Sequence, residues 1–205
     1  MQVMTTGIAG LVVVEPCSFA DARGFFLETY QAQRYRDAVM GFDFVQDNHS
    51  RSKKGVLRGL HFQIQHPQAQ MVTIIRGQVF DVAVDLRSGS KTFGRWFGTI
   101  LSDDGGPRQM CMAPGLAHGY AVLSEVADLH YKVSRIYSPE DEGGVLWSDS
   151  DIGIKWPAGE HFISPRDASF PFLKDLALDR LPHETEEARH GLDITYTDIG
   201  IWREI

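Results

Sequence analysis

Polar side chains that could carry acid–base chemistry are concentrated in one segment, residues 44–63 (FVQDNHSRSKKGVLRGLHFQ). An imidazole, a guanidinium and several carboxamides occur there beside apolar side chains, which is unusual for a strand that only faces solvent. Histidine titrates near neutral pH and can act as a general base, and arginine binds anionic groups such as phosphate. The segment therefore predicts a loop and a strand that carry a binding or catalytic site, with the candidates Gln46, Asn48, Arg58, His61 and Gln63.

Arg58 and His61 can share a pocket only if the strand that carries them is irregular. Side chains alternate along a strand, so strict alternation places His61 on one face and Arg58 on the other. A β-bulge would change this phase, and glycine is the residue that most easily adopts bulge geometry. We therefore predict a bulge at Gly59.

Each of the strongest single candidates also has a purely structural explanation. His61 could be a buried histidine whose ring nitrogens bond to neighbours. Tyr131 follows the apolar alternation of Leu129 and Val133, which is typical of a core tyrosine with a bonded hydroxyl. Asp167, in ISPRDASFP, could be a turn or capping residue. These residues become informative only in combination.

The elements that would position these residues are mainly short β-strands. From Leu11 to about Trp156, short apolar runs are separated by glycine, proline, aspartate and serine. In VFDVAVDL the aspartates lie on the face opposite the apolar side chains. Strands spaced by roughly 8–12 residues are typical of an all-β sandwich or barrel. The predicted strands are Met71–Arg76, then, across a tight connection at Gly77, Val79–Leu86, and further on Arg95–Leu101, Gln109–Ala113, His118–Leu123 and Asp128–Tyr137.

Helical signals are few, and nothing divides the chain into several domains. One short helix is predicted over Gln31–Met40, with Gly41 as its C-terminal cap, and another near Glu184–Arg189. A chain of 205 residues suits one domain that covers residues 1–205. Within it, residues 176–205 form a C-terminal extension to which the sequence assigns no role.

Charge and composition restrict the classes of partner. The formal net charge is -7, whereas nucleic-acid-binding proteins usually carry a basic patch; arginines in a cleft could still bind an anionic small molecule. The apolar stretch Ile8–Val14 follows no basic region, and no run approaches the roughly 20 apolar residues of a membrane span. The two cysteines, Cys17 and Cys111, lack metal spacing and indicate a reduced, cytoplasmic protein.

Seven segments together resemble the dTDP-4-dehydrorhamnose 3,5-epimerase family of cupin-type jelly rolls. They are DARGFFLETY, FVQDNHSRS, VLRGLHFQ, RGQVFDVAVDLRSGSKTFGRW, APGLAHGY, HYKVSRIYSP and ISPRD, in this order. The resemblance covers about residues 5–175. It implies a mainly β protein, a cupin-type jelly-roll sandwich or barrel with a few short helices. It also implies an epimerase that acts on a nucleotide-linked 4-keto-6-deoxy sugar in deoxysugar or polysaccharide biosynthesis.

The resemblance implies roles for individual residues. His61 is similar to the family's general base, Asp167 to the carboxylate that orients its imidazole, and Tyr131 to the general acid on the opposite face of the sugar. His118 resembles a second pocket histidine near the reacting carbonyl. The positions that resemble the family's nucleotide- and diphosphate-binding residues are Arg23, Phe26, Glu28, Gln46, Asn48, Arg58, Tyr137 and Arg166.

The chemistry of such a reaction suits these residue types. A C4 ketone acidifies the hydrogens on C3 and C5, because the carbanion is delocalised as an enolate, and hydrogen-bond donors must stabilise the ketone oxygen. Arginines such as Arg23 and Arg58 suit the diphosphate. The ketone is its own electron sink, so no cofactor and no metal is expected. The resemblance further implies a homodimer in which an N-terminal segment reaches the neighbouring subunit; neither nucleic acid nor membrane is expected as a partner.

One position departs from the family. The family commonly has a lysine seven residues before the glycine of its RG turn, close to the substrate carbonyl, and here that position is Gln70. Glutamine can donate a hydrogen bond but cannot neutralise an oxyanion. The substitution could be tolerated, could restrict the chemistry to one carbon or to another sugar, or could abolish activity. The intact set of His61, Asp167 and Tyr131 argues against loss of activity.

Other functions remain open at this point. Within the family, the main alternative is a single-centre epimerase, acting at C3 or C5 only, on a different nucleotide 4-keto sugar. A metal-dependent cupin would use His61 and His118 as ligands, but Gln63 stands where the usual paired histidines need a second one. A non-catalytic sugar-nucleotide-binding cupin would have no use for the pair of His61 and Asp167.

Overall fold

The computed structural model describes residues 1–104 and 108–182, which form mainly antiparallel β-strands. The strands are β1 (Gln2–Thr5), β2 (Leu11–Glu15), β3 (Ser18–Asp21), β4 (Gly24–Leu27), β5 (Gln46–Lys53), β6 (Leu57–Gln63), β7 (Gln70–Arg76), β8 (Gln78–Asp85), β9 (Trp96–Ser102), β10 (Gln109–Met112), β11 (Leu116–Val122), β12 (Val126–Val133) and β13 (Glu142–Gly144). The α-helices are α1 (Ala32–Ala38) and α2 (Pro165–Ala168), and single 3-10 turns cover Pro139–Asp141, Leu173–Asp175 and Leu178–Arg180.

The strands pack as two facing sheets. A six-stranded sheet has the order β1-β2-β10-β7-β12-β5, and a five-stranded sheet has the order β13-β6-β11-β8-β9. Strands β3 and β4 form a separate hairpin. Strands that are neighbours in space are mostly distant in sequence, so the chain passes repeatedly from one sheet to the other, as in a jelly roll.

Apolar side chains are buried on both faces of each sheet. The central core joins residues of the two sheets, for example Val72 and Leu129 with Val79 and Leu116. The outer face of the six-stranded sheet is covered by helix α1. The outer face of the five-stranded sheet is covered by residues from the C-terminal part, among them Leu181. Because both faces of the sheet are covered, Asp81 and Asp85 of β8 are inaccessible to solvent. The alternating pattern alone did not indicate their burial.

Most of the predicted strands are confirmed within one or two residues at their ends, although β12 ends at Val133 and does not extend to Tyr137. Residues 44–63, predicted as a loop and one strand, contain two strands, β5 and β6. Helix α1 is in the predicted place, but the Gly41 cap is wrong. Val39 ends the helix, because the backbone N–H groups of Val39 and Met40 both donate to the Tyr35 carbonyl.

The C-terminal extension is described only as far as Pro182. In that part Leu181 is buried against the outer face of the five-stranded sheet. The helix predicted near residues 184–189 lies outside the described residues. The division into one domain and an extension stays a prediction.

Strand β6 contains the predicted bulge. His61 pairs with His118, and Arg58 pairs with Tyr120, so β6 has one residue more than β11 over this interval. Gly59 lies in the bulge with φ +120, and a Cβ atom there would be 2.6 Å from the Cα of Gly119. The change of phase brings Arg58 and His61 to the same cavity.

We predict that Gly59→Ala is destabilising and reduces turnover, because the added methyl must displace strand β11 and with it the cavity wall. Strain at positive φ alone costs roughly 1–3 kcal/mol. Gly159→Ala is the matched control, since Gly159 has φ +137 and a methyl added there would meet nothing within 4 Å. Urea unfolding and a turnover assay on both variants measure the difference. Equal losses in the two variants would contradict the proposed packing of the bulge.

Candidate active site

His61 and Asp167 form a hydrogen-bonded pair at the bulge. The Nε2 atom of His61 is 3.0 Å from Oδ1 of Asp167. The second oxygen of Asp167 accepts from the backbone N–H of Gly59 at 3.1 Å. The backbone N–H of Asp167 donates to Oγ of Ser164, the N-cap of helix α2, at 3.0 Å. The carboxylate is therefore held by a helix and by the bulged strand at the same time.

Asp167 is ionised over the ordinary pH range. Burial opposes ionisation, but the hydrogen bonds from His61, Gly59 and Ser164 and the charge of His61 outweigh it, so that the pKa of Asp167 lies well below its usual value. A buried carboxylate that accepts a hydrogen bond from an imidazole fixes the tautomer of that ring. We therefore assign the proton of neutral His61 to Nε2, which leaves the lone pair on Nδ1.

An ion pair of Arg166 and Glu142 lies against the edge of the His61 ring. Nη2 of Arg166 is 3.3 Å from Nε2 of His61. Because an Nε2 that donates to Asp167 cannot also accept from Arg166, this contact is a close approach and not a hydrogen bond. Oε1 of Glu142 is 4.0 Å from Nδ1. Glu142 is ion-paired with Arg166 and accepts a hydrogen bond from the Tyr137 hydroxyl at 2.8 Å. This network orders the mouth of the cavity beside His61.

A cavity of about 350 Å³ lies between the two sheets in front of His61. Nine of the residues singled out in the sequence line it: Asn48, Arg58, His61, Gln63, Gln70, His118, Tyr131, Tyr137 and Arg166. Gln46 lies beside it, donating from Nε2 to Asn48 at 2.9 Å and accepting from the backbone of Tyr137. A second cavity of about 430 Å³ adjoins it and is lined by both members of the His61–Asp167 pair.

Tyr131 reaches the cavity from the sheet opposite to that of His61. It lies on β12 of the six-stranded sheet, whereas His61 lies on β6 of the five-stranded sheet. Burial and the neighbouring Tyr120 and Glu142 raise the pKa of Tyr131, and the charge of Arg58 opposes this rise. The hydroxyl therefore stays protonated at neutral pH and is available as an acid.

His118 forms a second histidine–carboxylate pair, with Asp81. Nε2 of His118 is 2.7 Å from Oδ1 of Asp81, which is 0 % exposed. Burial raises the pKa of Asp81, while the charge and hydrogen bond of His118 lower it. The other oxygen, Oδ2, has no hydrogen-bond partner among the residues described. Because His61 and His118 are paired residues on adjacent strands, the two imidazoles share one wall of the cavity.

Besides Gln46, three predicted substrate-binding residues lie outside this cavity. Arg23 and Phe26 are on the β3–β4 hairpin, and Glu28 follows it. Arg23 forms an ion pair with Asp21, and Glu28 forms one with Arg34. Phe26 is 71 % exposed. Within one chain the structure does not bring these side chains to His61, since they extend from a hairpin that belongs to neither sheet. Their role in substrate binding stays a prediction.

The prediction from sequence missed several residues of the cavity. Ser50 and Tyr120 could have been found by alternation, because each lies two residues beyond a predicted site residue on the same strand, Asn48 and His118 respectively. No local signal marks Gln68 or Glu142, nor Asp81, the buried partner of His118. Asp81 looked like a residue on the polar face of a strand, and only the facing sheet buries that side.

Neither a metal centre nor a membrane-spanning helix is found in residues 1–104 and 108–182. In these residues no group of three or more histidine, cysteine, aspartate or glutamate side chains has an arrangement that could hold a metal ion. No helix in this part of the chain is long and apolar enough to cross a membrane.

The fold and the cavity define a class of protein. It is a cupin-type jelly roll whose two facing sheets present a histidine–aspartate pair and a tyrosine to one cavity. The family model described as dTDP-4-dehydrorhamnose 3,5-epimerase matches residues 5–175, and the chain belongs to this family.

Named relatives are similar to this protein over most of its sequence. The dTDP-4-dehydrorhamnose 3,5-epimerase of Salmonella typhimurium is 46% identical over 181 residues, which are 87% of this chain and 98% of that protein. A crystal structure of a dTDP-6-deoxy-D-glucose-3,5-epimerase from Legionella pneumophila, in complex with dTDP-4-keto-L-rhamnose, has a TM-score of 0.86 at 45% identity, covering 90% of this chain and 98% of that one. A dTDP-4-dehydrorhamnose 3-epimerase from Streptomyces niveus is 43% identical, over 82% of this chain and 81% of that protein.

These findings confirm the predicted family, the cupin-type β fold and an isomerase-class sugar-nucleotide epimerase of deoxysugar biosynthesis. Membership of the family also favours the epimerase over the metal-dependent cupin that the sequence had left open. The roles of individual residues are not decided by these comparisons.

We predict that Asp167→Asn lowers kcat by about 10²–10⁴-fold, because the imidazole loses the group that fixes its tautomer and stabilises its protonated form. KM should change little, since Asp167 lies behind His61. The matched control is Asp149→Asn, in which another buried aspartate that accepts backbone hydrogen bonds is altered away from the cavity. Steady-state kinetics per folded enzyme compares the two. A wild-type kcat in Asp167→Asn would contradict the assignment.

The low pKa of Asp167 also predicts a pH dependence of stability. A carboxyl group whose pKa is depressed on folding stabilises the fold above its unfolded pKa of 3.8 and loses that contribution as the pH falls through its folded value. The difference in free energy of unfolding between the wild type and Asp167→Asn should therefore be largest near neutrality and shrink below about pH 5. Urea titrations at several pH values measure it. A difference that does not change with pH would show that folding does not lower the pKa of Asp167.

Proposed function

We propose that the chain epimerises a dTDP-4-keto-6-deoxyhexose at both C3 and C5, with His61 as base and Tyr131 as acid. The observation that carries this proposal is the placement of His61 and Tyr131 on opposite sheets around one cavity. Inversion of a carbon requires that a proton leaves one face of the sugar ring and another arrives at the opposite face. A sugar held between the two sheets has His61 on one face of its ring and Tyr131 on the opposite face.

The base step follows from the geometry of His61. Its Nδ1 lone pair removes the hydrogen beside the ketone, and the resulting imidazolium keeps its hydrogen bond to Asp167. The charge pair that forms is partly buried, so it is more stable than the same pair in water. The electrons of the broken C–H bond pass to the C4 ketone and form an enolate.

The acid step uses the Tyr131 hydroxyl. Its raised pKa keeps the proton on the oxygen until the enolate is formed. The proton is then added to the carbon from the side of the six-stranded sheet. The same two groups can serve C3 and C5 in turn, because these carbons lie on either side of the ketone in one ring.

The charge on the enolate oxygen must be stabilised in the same cavity. His118 and Gln70 both line it, and Gln70 can supply a hydrogen bond without a charge. Arg58 and Arg166 supply positive charge at the cavity, which Gln70 cannot provide. This arrangement supports activity in spite of the departure from the family lysine.

The nucleotide is expected to bind at the mouth of the cavity. The cavity volume of about 350 Å³ is at the lower end of small-molecule sites and suits a sugar ring better than a whole nucleotide sugar. Arg58 and Arg166 suit the two phosphates, because a guanidinium forms paired hydrogen bonds with phosphate oxygens. Tyr137 is 40 % exposed at the mouth and offers an aromatic face for the base.

A homodimer would explain the exposed hairpin β3–β4. Its aromatic residues Phe19, Phe25 and Phe26 are 48 %, 64 % and 71 % exposed, and such a group of apolar side chains commonly marks an interface. If the hairpin extends over the cavity of a second copy, Arg23 and Phe26 reach the bound nucleotide there. This placement would reconcile their predicted role with their distance from the cavity of their own chain.

Epimerisation at a single carbon is the second candidate. Gln70 favours it, because a neutral donor stabilises the enolate less than a lysine does. Relatives of both kinds are similar to this chain, among them the 3-epimerase from Streptomyces niveus and the 3,5-epimerase from Salmonella typhimurium. Similarity alone therefore does not separate the two functions.

The discriminating experiment is proton NMR of dTDP-4-keto-6-deoxyglucose incubated with the enzyme in deuterium oxide. Loss of the C3 and C5 signals, with formation of the doubly inverted sugar, is the expected result. Exchange and inversion at one carbon only would replace the proposal by the single-centre epimerase. No exchange at either carbon would overturn the proposal for this substrate, and binding without exchange would identify a sugar-nucleotide-binding protein.

We predict that His61→Ala and Tyr131→Phe each reduce kcat by at least about 10²-fold, because each removes one partner of a proton transfer. Tyr131→Phe should still exchange the substrate hydrogens with deuterium, since His61 remains. His61→Ala should lose both exchange and inversion. Binding of dTDP, measured by calorimetry, should be nearly unchanged in both. Wild-type inversion in either variant would remove that residue from the mechanism.

A further inference from the structure

The hydroxyl groups of Ser50 and Tyr120 form a hydrogen-bonded pair inside the cavity. The Oγ atom of Ser50 and the hydroxyl oxygen of Tyr120 are 3.0 Å apart, and either can donate. Ser50 lies on β5 of the six-stranded sheet and Tyr120 on β11 of the five-stranded sheet, so the bond joins the two walls. Both side chains line the cavity that contains His61 and Tyr131. The proposed mechanism uses neither hydroxyl.

The pair lies beside the proposed acid. On the paired strands β5 and β12, Ser50 is opposite Leu129 and Asn48 is opposite Tyr131, so Ser50 is the diagonal neighbour of Tyr131 on the cavity face. Such neighbours have Cα atoms about 7–8 Å apart, within reach of large side chains. Tyr120 is close enough for its hydroxyl to raise the pKa of Tyr131.

Burial orders the two hydroxyls along a path. Tyr120 is 5% exposed, whereas Ser50 is only partly buried. From solvent inward the order of the two hydroxyls is therefore Ser50 and then Tyr120, whereas Tyr131 is itself partly buried on the cavity wall. Chains of hydroxyl groups with this arrangement can pass protons by successive donation, because each hydroxyl can both donate and accept.

Inversion leaves Tyr131 without its proton. When Tyr131 protonates the carbon it becomes a phenolate, and His61 becomes an imidazolium. A second inversion at the other carbon of the same bound sugar requires that both groups are reset. The bound sugar then separates Tyr131 from bulk solvent at the cavity mouth, so the new proton must come through groups of the cavity wall and through water held between them.

We propose that Ser50 and Tyr120 return a proton to Tyr131 while the sugar remains bound, and this inference rests on the proposed function. Tyr120 donates to the Tyr131 phenolate through cavity water, Ser50 donates to Tyr120, and a solvent water donates to Ser50. The hydroxide that remains is neutralised by the proton that the His61 imidazolium releases. The balance is one proton from His61 to solvent and one from solvent to Tyr131. Ser50 and Tyr120 do not touch the reacting carbon and act through Tyr131.

The experiment compares inversion with exchange in Tyr120→Phe, which removes one hydroxyl and keeps the ring. Incubation of the 4-keto sugar in deuterium oxide separates two products by NMR: deuterated sugar of retained configuration, made by His61 alone, and inverted sugar, which needs Tyr131. With Tyr131 trapped as phenolate after the first proton transfer, the second inversion should fall at least about tenfold while exchange with retention persists at that carbon. Sugar inverted at one carbon should be released. Added small buffer acids should restore inversion in the variant and leave the wild type unchanged.

The matched control is Tyr35→Phe. Tyr35 is also buried, and its hydroxyl donates to Gln109 at 2.6 Å, but it packs on the outer face of the six-stranded sheet. Its loss should lower stability by about 1–3 kcal/mol and leave the ratio of inversion to exchange unchanged. Ser50→Ala tests the outer member of the pair and carries the test if Tyr120→Phe does not fold. The double variant should be no slower than the slower single variant, because the two hydroxyls act in series.

The outcomes distinguish a failure of the proton relay, which runs through Ser50 and Tyr120 to Tyr131, from a failure of the proposed function. A wild-type ratio of inversion to exchange in folded Tyr120→Phe or in Ser50→Ala would overturn the relay. Absence of exchange in the wild-type enzyme would overturn the proposed function instead. A reduced ratio that buffer acids restore would support the relay, since a change in packing alone cannot be rescued by a proton donor.

Discussion

The carboxylate of Asp167 is the interaction on which the site depends. One oxygen accepts from the His61 ring and the other from the Gly59 backbone, so a single group holds both the imidazole and the bulge that turns it toward the cavity. The helix that carries Asp167 is only one turn long, and its Ser164 cap fixes it in place. Loss of the carboxylate would therefore affect the orientation of the ring and the course of strand β6 together.

The two sheets contribute different side chains to the cavity. The five-stranded sheet supplies the imidazoles and Arg58, and the six-stranded sheet supplies Tyr131, Gln70 and Asn48. At one end the space between the sheets is filled by apolar side chains, and at the other it is lined by polar groups. Such a polar interior is costly unless its groups are hydrogen-bonded. The pairs His61–Asp167, His118–Asp81 and Ser50–Tyr120 provide these bonds within the cavity wall.

Under the proposed mechanism, a 3-epimerase and a 3,5-epimerase can share one fold. His61 and Tyr131, the proposed base and acid, are positioned by strands of the two sheets, whereas stabilisation of the enolate would depend on side chains such as Gln70 that can change singly. A neutral donor at this position alters the energy of an intermediate without moving the groups that transfer protons. The fold therefore fixes the positions of His61 and Tyr131, whereas the charge beside the enolate oxygen can change.

The sequence by itself determined the class of fold, the position of most strands and the principal residues of the site. Alternation and turn residues located β7 to β12, and the conflict between Arg58 and His61 on one strand already required the bulge at Gly59. These features depend on local spacing, which a sequence displays. The resemblance of its motifs supplied the roles expected of His61, Asp167 and Tyr131.

Tertiary structure alone decided which strands face each other and what becomes buried between them. Asp81 appeared to lie on the polar side of a strand, and the facing sheet made it a buried partner of His118. Glu142 and the hydroxyl pair of Ser50 and Tyr120 come from segments far apart in the chain, and the hairpin with Phe26 is separated from the cavity of its own chain. Contacts of this kind depend on the pairing of distant strands, and local periodicity carries no information about that pairing.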